Sequence, residues 1–266
     1  MLVILSIGLL VGAVGAMLGV GGGILLIPLL TAFLGVPIKT AISTSILCVI
    51  ATSSAAGAVY AVRSLTHNRL AMVLETATTA GALTGGITAV LISPNLLAAL
   101  FGFVLIFVAF SMRKLPKEDR KSEPTGVLDT SYIDPRTGET VTYGIHCLPA
   151  GMGASFIAGN LSGLLGIGGG IIKVPMMSLL MGVPLRASIA TSNFMIGITA
   201  ATSAIIYYAR GYIDPTVAIP TALGVLLGAQ IGTQLGGRLR SQRVKQIFQL
   251  VLLVFAVVMF YQAWRG

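Results

Sequence analysis

The chain has 266 residues, of which 55% are hydrophobic and 9% charged, with a formal charge of +9 and a mean hydropathy of +0.94. Soluble domains carry about 25% charged residues, so this composition excludes a soluble enzyme or binding domain and defines an all-α polytopic membrane protein. The basic residues gather in short clusters beside apolar spans and form no basic face interleaved with aromatics, which excludes a nucleic-acid partner and leaves topology-setting charge.

Apolar segments run 2–18, 24–35, 41–62, 70–92 and 96–112, then 148–165, 171–182, 187–209, 216–237 and 246–263. The first opens at Leu2 with no basic region before it and no small-residue cleavage site after it, so it reads as a retained helix and not a removed signal. Each set of five contains one element, the second, that is too short to span a bilayer, which takes about 20 apolar residues. Just before this element stands a glycine triplet, Gly21-Gly22-Gly23 in the first set and Gly168-Gly169-Gly170 in the second. Glycine costs roughly 1 kcal/mol in a helix interior and proline about 3. Three consecutive glycines inside an apolar run therefore mark a helix that opens, and the short element after them reads as a re-entrant half-helix.

The two sets are copies. Met17–Cys48 and Leu164–Met195 align without a gap at an offset of 147, with 13 of 32 positions identical, among them the triplets, Pro28/Pro175 and Gly35-Val36-Pro37/Gly182-Val183-Pro184. The domains expected are a first membrane repeat at 1–112, a polar cytoplasmic linker at 113–147 and a second repeat at 148–266. Charge indicates that the copies are inverted. The turn Ser93 to Asn95 is uncharged while its mate carries Arg238, Arg240, Arg243 and Lys245. The loop with Arg63, His67 and Arg69 faces a mate in which Arg210 is offset by Asp214. With Lys and Arg on the inside, equivalent loops fall on opposite sides, the cluster Arg113 to Lys121 falls inside, and both termini fall outside.

Within 113–147, six basic residues balance six acidic ones, and Tyr132 to Tyr143 reads as two short strands around the Asp134-Pro-x-x-Gly138 turn. A simple linker and a regulatory or docking flap are the two readings of this insert.

The candidate binding residues follow from the breaks. An opened helix survives in hydrocarbon only where it lines a cavity or is buried in protein. The free amides at the start of each half-helix carry the positive end of its dipole, an anion site in waiting. Such breaks, one per half, are the best sequence pointer to a transporter's site, although small residues also serve close helix packing. Hydroxyl clusters follow each half-helix: Ser43-Thr44-Ser45, and Thr191-Ser192-Asn193, where Asn193 has no counterpart. These side chains offer donors to an anion without burying charge, or they bond neighbouring helices. Lys173 stands three residues after the second triplet where Leu26 stands after the first; it attracts an anion or snorkels to the interface. Glu75, about two turns into its span, is a candidate for relaying a coupling proton, or it reaches back to Arg69. Lys39 and Arg186, each just after Gly-Val-Pro, anchor the interface or draw anions to opposite mouths. Cys48 and Cys147 have no disulfide or metal spacing. His67 and His146 join no metal pattern and no catalytic constellation, so neither a cofactor, a metal nor an enzymatic reaction is expected.

The motif Gly19-x-Gly21-Gly22-Gly23 with Pro28, repeated as Gly166-x-Gly168-Gly169-Gly170 with Pro175 and followed by Gly-Val-Pro and a Thr-Ser pair, resembles the sulfite exporter TauE/SafE family of bacterial permeases. The resemblance covers 1–112 and 148–266 and omits the insert. It implies secondary transport, in the inner membrane, of a small sulfur-containing anion such as sulfite, thiosulfate, sulfoacetate or another organosulfonate.

The expected molecule is therefore a two-repeat anion transporter working by alternating access. Its substrate-binding residues are Gly21, Gly22, Gly23, Thr44, Ser45, Gly168, Gly169, Gly170, Lys173, Thr191, Ser192 and Asn193, and Glu75 is the coupling candidate. Its partners are the anion, the lipid bilayer and a coupling proton or sodium ion, with a homodimer left open. An anion channel and a membrane subunit that scaffolds an enzyme are the alternatives.

Overall fold

The structure is a computed structural model that describes residues 2–18, 21–62, 64–111, 128–134, 138–235 and 242–265. The side chains of Arg63, of the cluster Arg113 to Lys121 and of Arg238 to Lys245, on which the charge argument leans, lie outside the described residues. Two groups of five helices flank a hairpin: α1 (Leu2–Leu18), α2 (Gly23–Leu34), α3 (Ile38–Val62), α4 (Asn68–Leu91), α5 (Pro94–Ser111), β1 (Thr130–Ile133), β2 (Thr140–Tyr143), α6 (Leu148–Leu165), α7 (Gly170–Leu179), α8 (Leu185–Ala209), α9 (Pro215–Leu235) and α10 (Gln242–Arg265). Six of these among the described residues are long and apolar enough to cross a membrane: α3, α4, α5, α8, α9 and α10. With large apolar side chains such as Phe33, Phe103, Phe107, Ile205 and Val257 exposed on its surface, the chain is a multi-pass membrane protein.

Packing follows an exchange between the two groups. Helix α1 lies along α9, and its counterpart α6 lies along α4; α3 packs on α8 and α5 on α10. The first two contacts are built on glycines four apart, a stripe that lets backbones touch where no hydrophobic effect drives helices together. A β-carbon on Gly224, Gly228 or Gly232 would meet the carbonyl oxygen of Leu5, Leu9 or Ala13 at 2.3, 2.0 and 2.2 Å. The rising order of both partners makes α1 and α9 parallel. Gly81 and Gly85 meet Phe156 O and Asn160 O at 2.1 and 2.0 Å in the same sense, so α4 and α6 are parallel too. Helices α3 and α8 instead run antiparallel: Ser43 Oγ at the start of α3 donates to Tyr212 O just past α8 at 2.7 Å, while His67 N, past α3, donates to Thr191 Oγ1 near the start of α8 at 3.0 Å.

The hairpin pairs Thr130 with Tyr143 through Ile133 with Thr140, closed by Gly138 N to Asp134 O at 2.8 Å with Gly138 at φ 72°. It does not hang free. Tyr132 and Tyr143 pack with Leu70, Leu74, Met177, Met181 and Val183, and Asp134 pairs with Arg186 at the start of α8.

Candidate functional site

Both glycine triplets break their helices. α1 stops at Leu18 and α2 begins at Gly23, with Gly21 and Gly22 at φ 77° and 75°; α6 stops at Leu165 and α7 begins at Gly170, with Gly168 and Gly169 at 76° and 69°. The left-handed conformation costs any other residue roughly 1–2 kcal/mol, which is why the triplet is where the chain turns. The first amides of α2 and α7 have no acceptor within their own helix.

The two breaks meet. A β-carbon on Gly21 would lie 2.9 Å from Ile196 Cδ1 and 3.3 Å from Val49 Cγ1; one on Gly168 would lie 3.0 Å from Val49 Cγ1 and 3.6 Å from Ile196 Cβ. Val49 and Ile196 sit at the middle of α3 and α8, themselves 147 residues apart. The halves are also tied directly. Ser45 Oγ donates to Gly166 O at 2.7 Å, and a β-carbon on Gly23 would come within 2.6 Å of that same oxygen.

Every residue expected to bind substrate is buried, but the structure divides their duties. Ser45 and Thr191 are engaged in the contacts just described. Asn193 Nδ2 donates to Ile189 O at 3.0 Å, and its backbone oxygen accepts from Ser53 Oγ. Thr44 Oγ1 and Asn193 Oδ1 are buried with no hydrogen-bond partner. Leaving such a group unmatched costs about 1–3 kcal/mol, so these two atoms are places where a polar ligand would repay its own desolvation. Of two described cavities, one of about 180 Å³ is lined by Thr31, Ile38, Asn95 and Gln262 and one of about 320 Å³ by Phe107, Ala154, Ile172, Pro175 and Leu179; no glycine of either triplet lines them.

The charged residues of the interior find each other. Lys173, fully buried, does not snorkel: its Nζ lies 3.4 Å from Glu75 Oε2 on α4 and donates to Thr199 Oγ1 on α8 at 3.0 Å. Thr199 Oγ1 is 2.7 Å from Glu75 Oε1, and Thr79 approaches the same carboxylate oxygen at 3.4 Å. Glu75 thus bonds across to the half-helix α7. Thr199 was not among the sequence candidates, because a lone threonine in a long span carries no signal. The sequence offered Arg69 as the partner of Glu75 and the interface or the anion as that of Lys173; the structure pairs the two with each other. Of the mouth residues, Lys39 Nζ donates to Val90 O at 3.0 Å and lies over the Tyr212 ring, while Arg186 is held by Asp134. Among the described residues no group of three metal-ligating side chains forms.

Comparison with known proteins agrees with this picture of a transport protein. A family model described as Sulfite exporter TauE/SafE matches residues 4–259. The chain is 26% identical over 268 residues to the probable membrane transporter protein YunE of Bacillus subtilis (strain 168), covering 98% of this chain and 97% of that one. It is 26% identical to a probable membrane transporter protein of Xylella fastidiosa (strain 9a5c), over 100% and 97%. The probable membrane transporter protein MJ0441 of Methanocaldococcus jannaschii is 24% identical, over 96% and 94%. No solved structure matches.

Proposed function

The chain belongs to the sulfite exporter TauE/SafE family and is a membrane transporter, not an enzyme; on that premise we propose that it is a secondary transporter of a small sulfur oxyanion or organosulfonate, placed in the inner membrane and working by alternating access between two inverted repeats. The observation that carries this reading is the meeting of the two glycine breaks against Val49 and Ile196, at the middle of α3 and α8. The half-helices α2 and α7 begin just after these breaks, and Thr44 and Asn193, on the α3 and α8 that carry Val49 and Ile196, keep buried oxygens without a partner. The antiparallel run of α3 against α8 supports inversion, because a two-fold axis along the membrane normal would leave equivalent helices parallel. The tight fit at the centre, with Ser45 bonded to Gly166 across the halves, supports access by relative movement of the halves and not through a standing pore.

Purified protein titrated with sulfite, thiosulfate, sulfate, sulfoacetate and methanesulfonate tests this. Saturable binding of at least one anion, with proteoliposome flux that saturates and runs uphill under an imposed ion gradient, is expected. Unsaturable, strictly downhill flux would indicate a channel. A leucine at Gly169 brings a β-carbon to 2.9 Å of Ala158 O at a left-handed φ, and should abolish both binding and flux. Unchanged flux in Gly169→Leu would sink the site.

A further inference from the structure

We infer that Lys173, Glu75 and Thr199 form a proton-linked anion site, in which the transported anion and the Glu75 carboxylate compete for the Lys173 ammonium, so that one proton and one monovalent anion travel together. The inference rests on the anion-transport reading above and adds the coupling ion, the stoichiometry and the charge of the substrate.

At the same 147-residue offset, Lys173, Glu75 and Thr199 correspond to Leu26, Ala222 and Thr52, so Glu75 from the first half and Lys173 from the second make one charged place whose repeat-related mate is uncharged. Nothing in the repeat packing requires them, since Leu26 fills the equivalent place fully buried. Replacing a buried ion pair by apolar residues is often neutral or stabilising, so such a pair is weak evidence for a structural role, and ionisable groups inside a membrane mark substrate or proton paths. The pair is also incomplete. An ammonium has three donors, and among the described residues Lys173 has two acceptors, Glu75 Oε2 at 3.4 Å and Thr199 Oγ1 at 3.0 Å. Lys173 lies in the first turn of α7, with its backbone amide bonded to Gly169 O. Its side chain therefore rises from the helix that opens at the second break, and side chains on a helix lean towards its start.

Charge bookkeeping selects the coupling. With Glu75 ionised, the pair is neutral as a whole and the empty carrier can reorient without moving charge through hydrocarbon. A proton taken from the aqueous phase onto Glu75 leaves a neutral acid and an uncompensated ammonium; a monovalent anion restores neutrality by pairing with Lys173. Both the empty and the loaded forms are then uncharged inside. A divalent anion would leave one net negative charge, and an anion without its proton would leave the same. Other charges do not enter this balance. Helix α6, packed along α4, carries no titratable residue. On α8, Arg186 is held by Asp134 and stands 13 residues before Thr199, roughly 20 Å along the axis; Tyr207 at the far end bonds Gly163 O and Leu164 O. On α4 itself, Arg69 lies six residues away, about 9 Å along the axis. A proton gradient directed inward would drive the anion inward.

The test uses the full chain in proteoliposomes, with methanesulfonate as monovalent probe and sulfate as divalent one. Expected for wild type is accumulation of methanesulfonate under an inward proton gradient, at a rate unchanged when the membrane potential is set with potassium and valinomycin. Its affinity should fall about tenfold per pH unit on the alkaline side of the Glu75 titration, the slope of one linked proton. Glu75→Gln should bind methanesulfonate with affinity independent of pH and lose accumulation driven by the gradient; Lys173→Gln should weaken binding at least tenfold. The inference is overturned if wild-type methanesulfonate flux ignores the pH gradient, if it is electrogenic, if transport is confined to divalent anions, or if Glu75→Gln keeps the wild-type pH slope. The wild-type arms decide the matter even if Glu75→Gln does not fold. Absence of binding and flux for every anion tried brings down the transport reading itself, an outcome distinct from anion flux without proton linkage.

Discussion

At the scale of single residues, the glycines separate into those that pack and those that turn. Gly85 has no room for a methyl group, because its β-carbon would stand 2.0 Å from the backbone oxygen of Asn160; neither partner is a side chain that can swing away, so α4 and α6 must part. Overpacking of this kind costs about 1–3 kcal/mol and sometimes more, and Gly85→Ala should lower the unfolding temperature in detergent markedly. Gly35 closes α2 in the left-handed conformation with nothing within 4 Å of an added β-carbon. Gly35→Ala should therefore show only the backbone strain, roughly 1–2 kcal/mol. A wild-type melting temperature in Gly85→Ala would refute the assignment of the α4–α6 stripe as a close-contact seam. The triplets were legible in the sequence because three consecutive glycines before a duplicated proline go beyond what close helix packing through small residues needs. The seams were also written there, as Gly81-x-x-x-Gly85, Gly159-x-x-x-Gly163 and Gly224-x-x-x-Gly228-x-x-x-Gly232, but a small-residue stripe does not name its partner helix.

At the scale of elements, the hairpin is the part whose position sequence reasoning left open. Its strands and turn followed from Asp134, Gly138 and the flanking β-formers. Its docking depends on contacts between residues 61 and 52 positions apart, His67 with Leu128 O and Arg186 with Asp134, which no local pattern encodes. His67 is the joint. Its Nε2 meets Leu128 O at 2.8 Å, its Nδ1 accepts from Leu70 N at 3.3 Å as the cap of α4, and its ring lies edge-on to Tyr143. An Nδ1 that accepts and an Nε2 that donates define the neutral ring. Burial, chiefly, lowers the His67 pKa below its usual 6.5, with the Arg69 charge adding to it and the hydrogen bond to Leu128 opposing. The native state therefore binds fewer protons than the unfolded one. The stabilisation is complete above pH 6.5 and is lost as pH falls through the lowered value, when Nδ1 acquires a proton that faces the Leu70 amide. Melting temperature should fall between pH 7 and pH 5 more steeply in wild type than in His67→Gln, whose amide keeps one donor and one acceptor. Parallel pH profiles would remove His67 from this role.

At the scale of the whole molecule, the contacts order the chain about one relation. Helix α3 begins beside the end of α8 and ends beside its beginning, while each half lends its first helix to the fourth helix of the other. A chain folded in this way places the loop after α3 and the loop after α8 on opposite membrane faces. The charge argument drawn from Arg63, Arg69 and Asp214 points to the inside for the first and the outside for the second. Single cysteines test both statements without disturbing the core. In a background with the exposed Cys147 changed to serine and the buried Cys48 kept, Ser64→Cys and Arg210→Cys each place a thiol at an exposed position. A membrane-impermeant maleimide added to intact cells should label the cysteine at 210 and spare the one at 64 until the membrane is opened. Labelling of both from one side means that the repeats share an orientation. In that case the two glycine breaks would no longer be related by an axis in the membrane plane, and reorientation of one half would not carry a shared site from one face to the other.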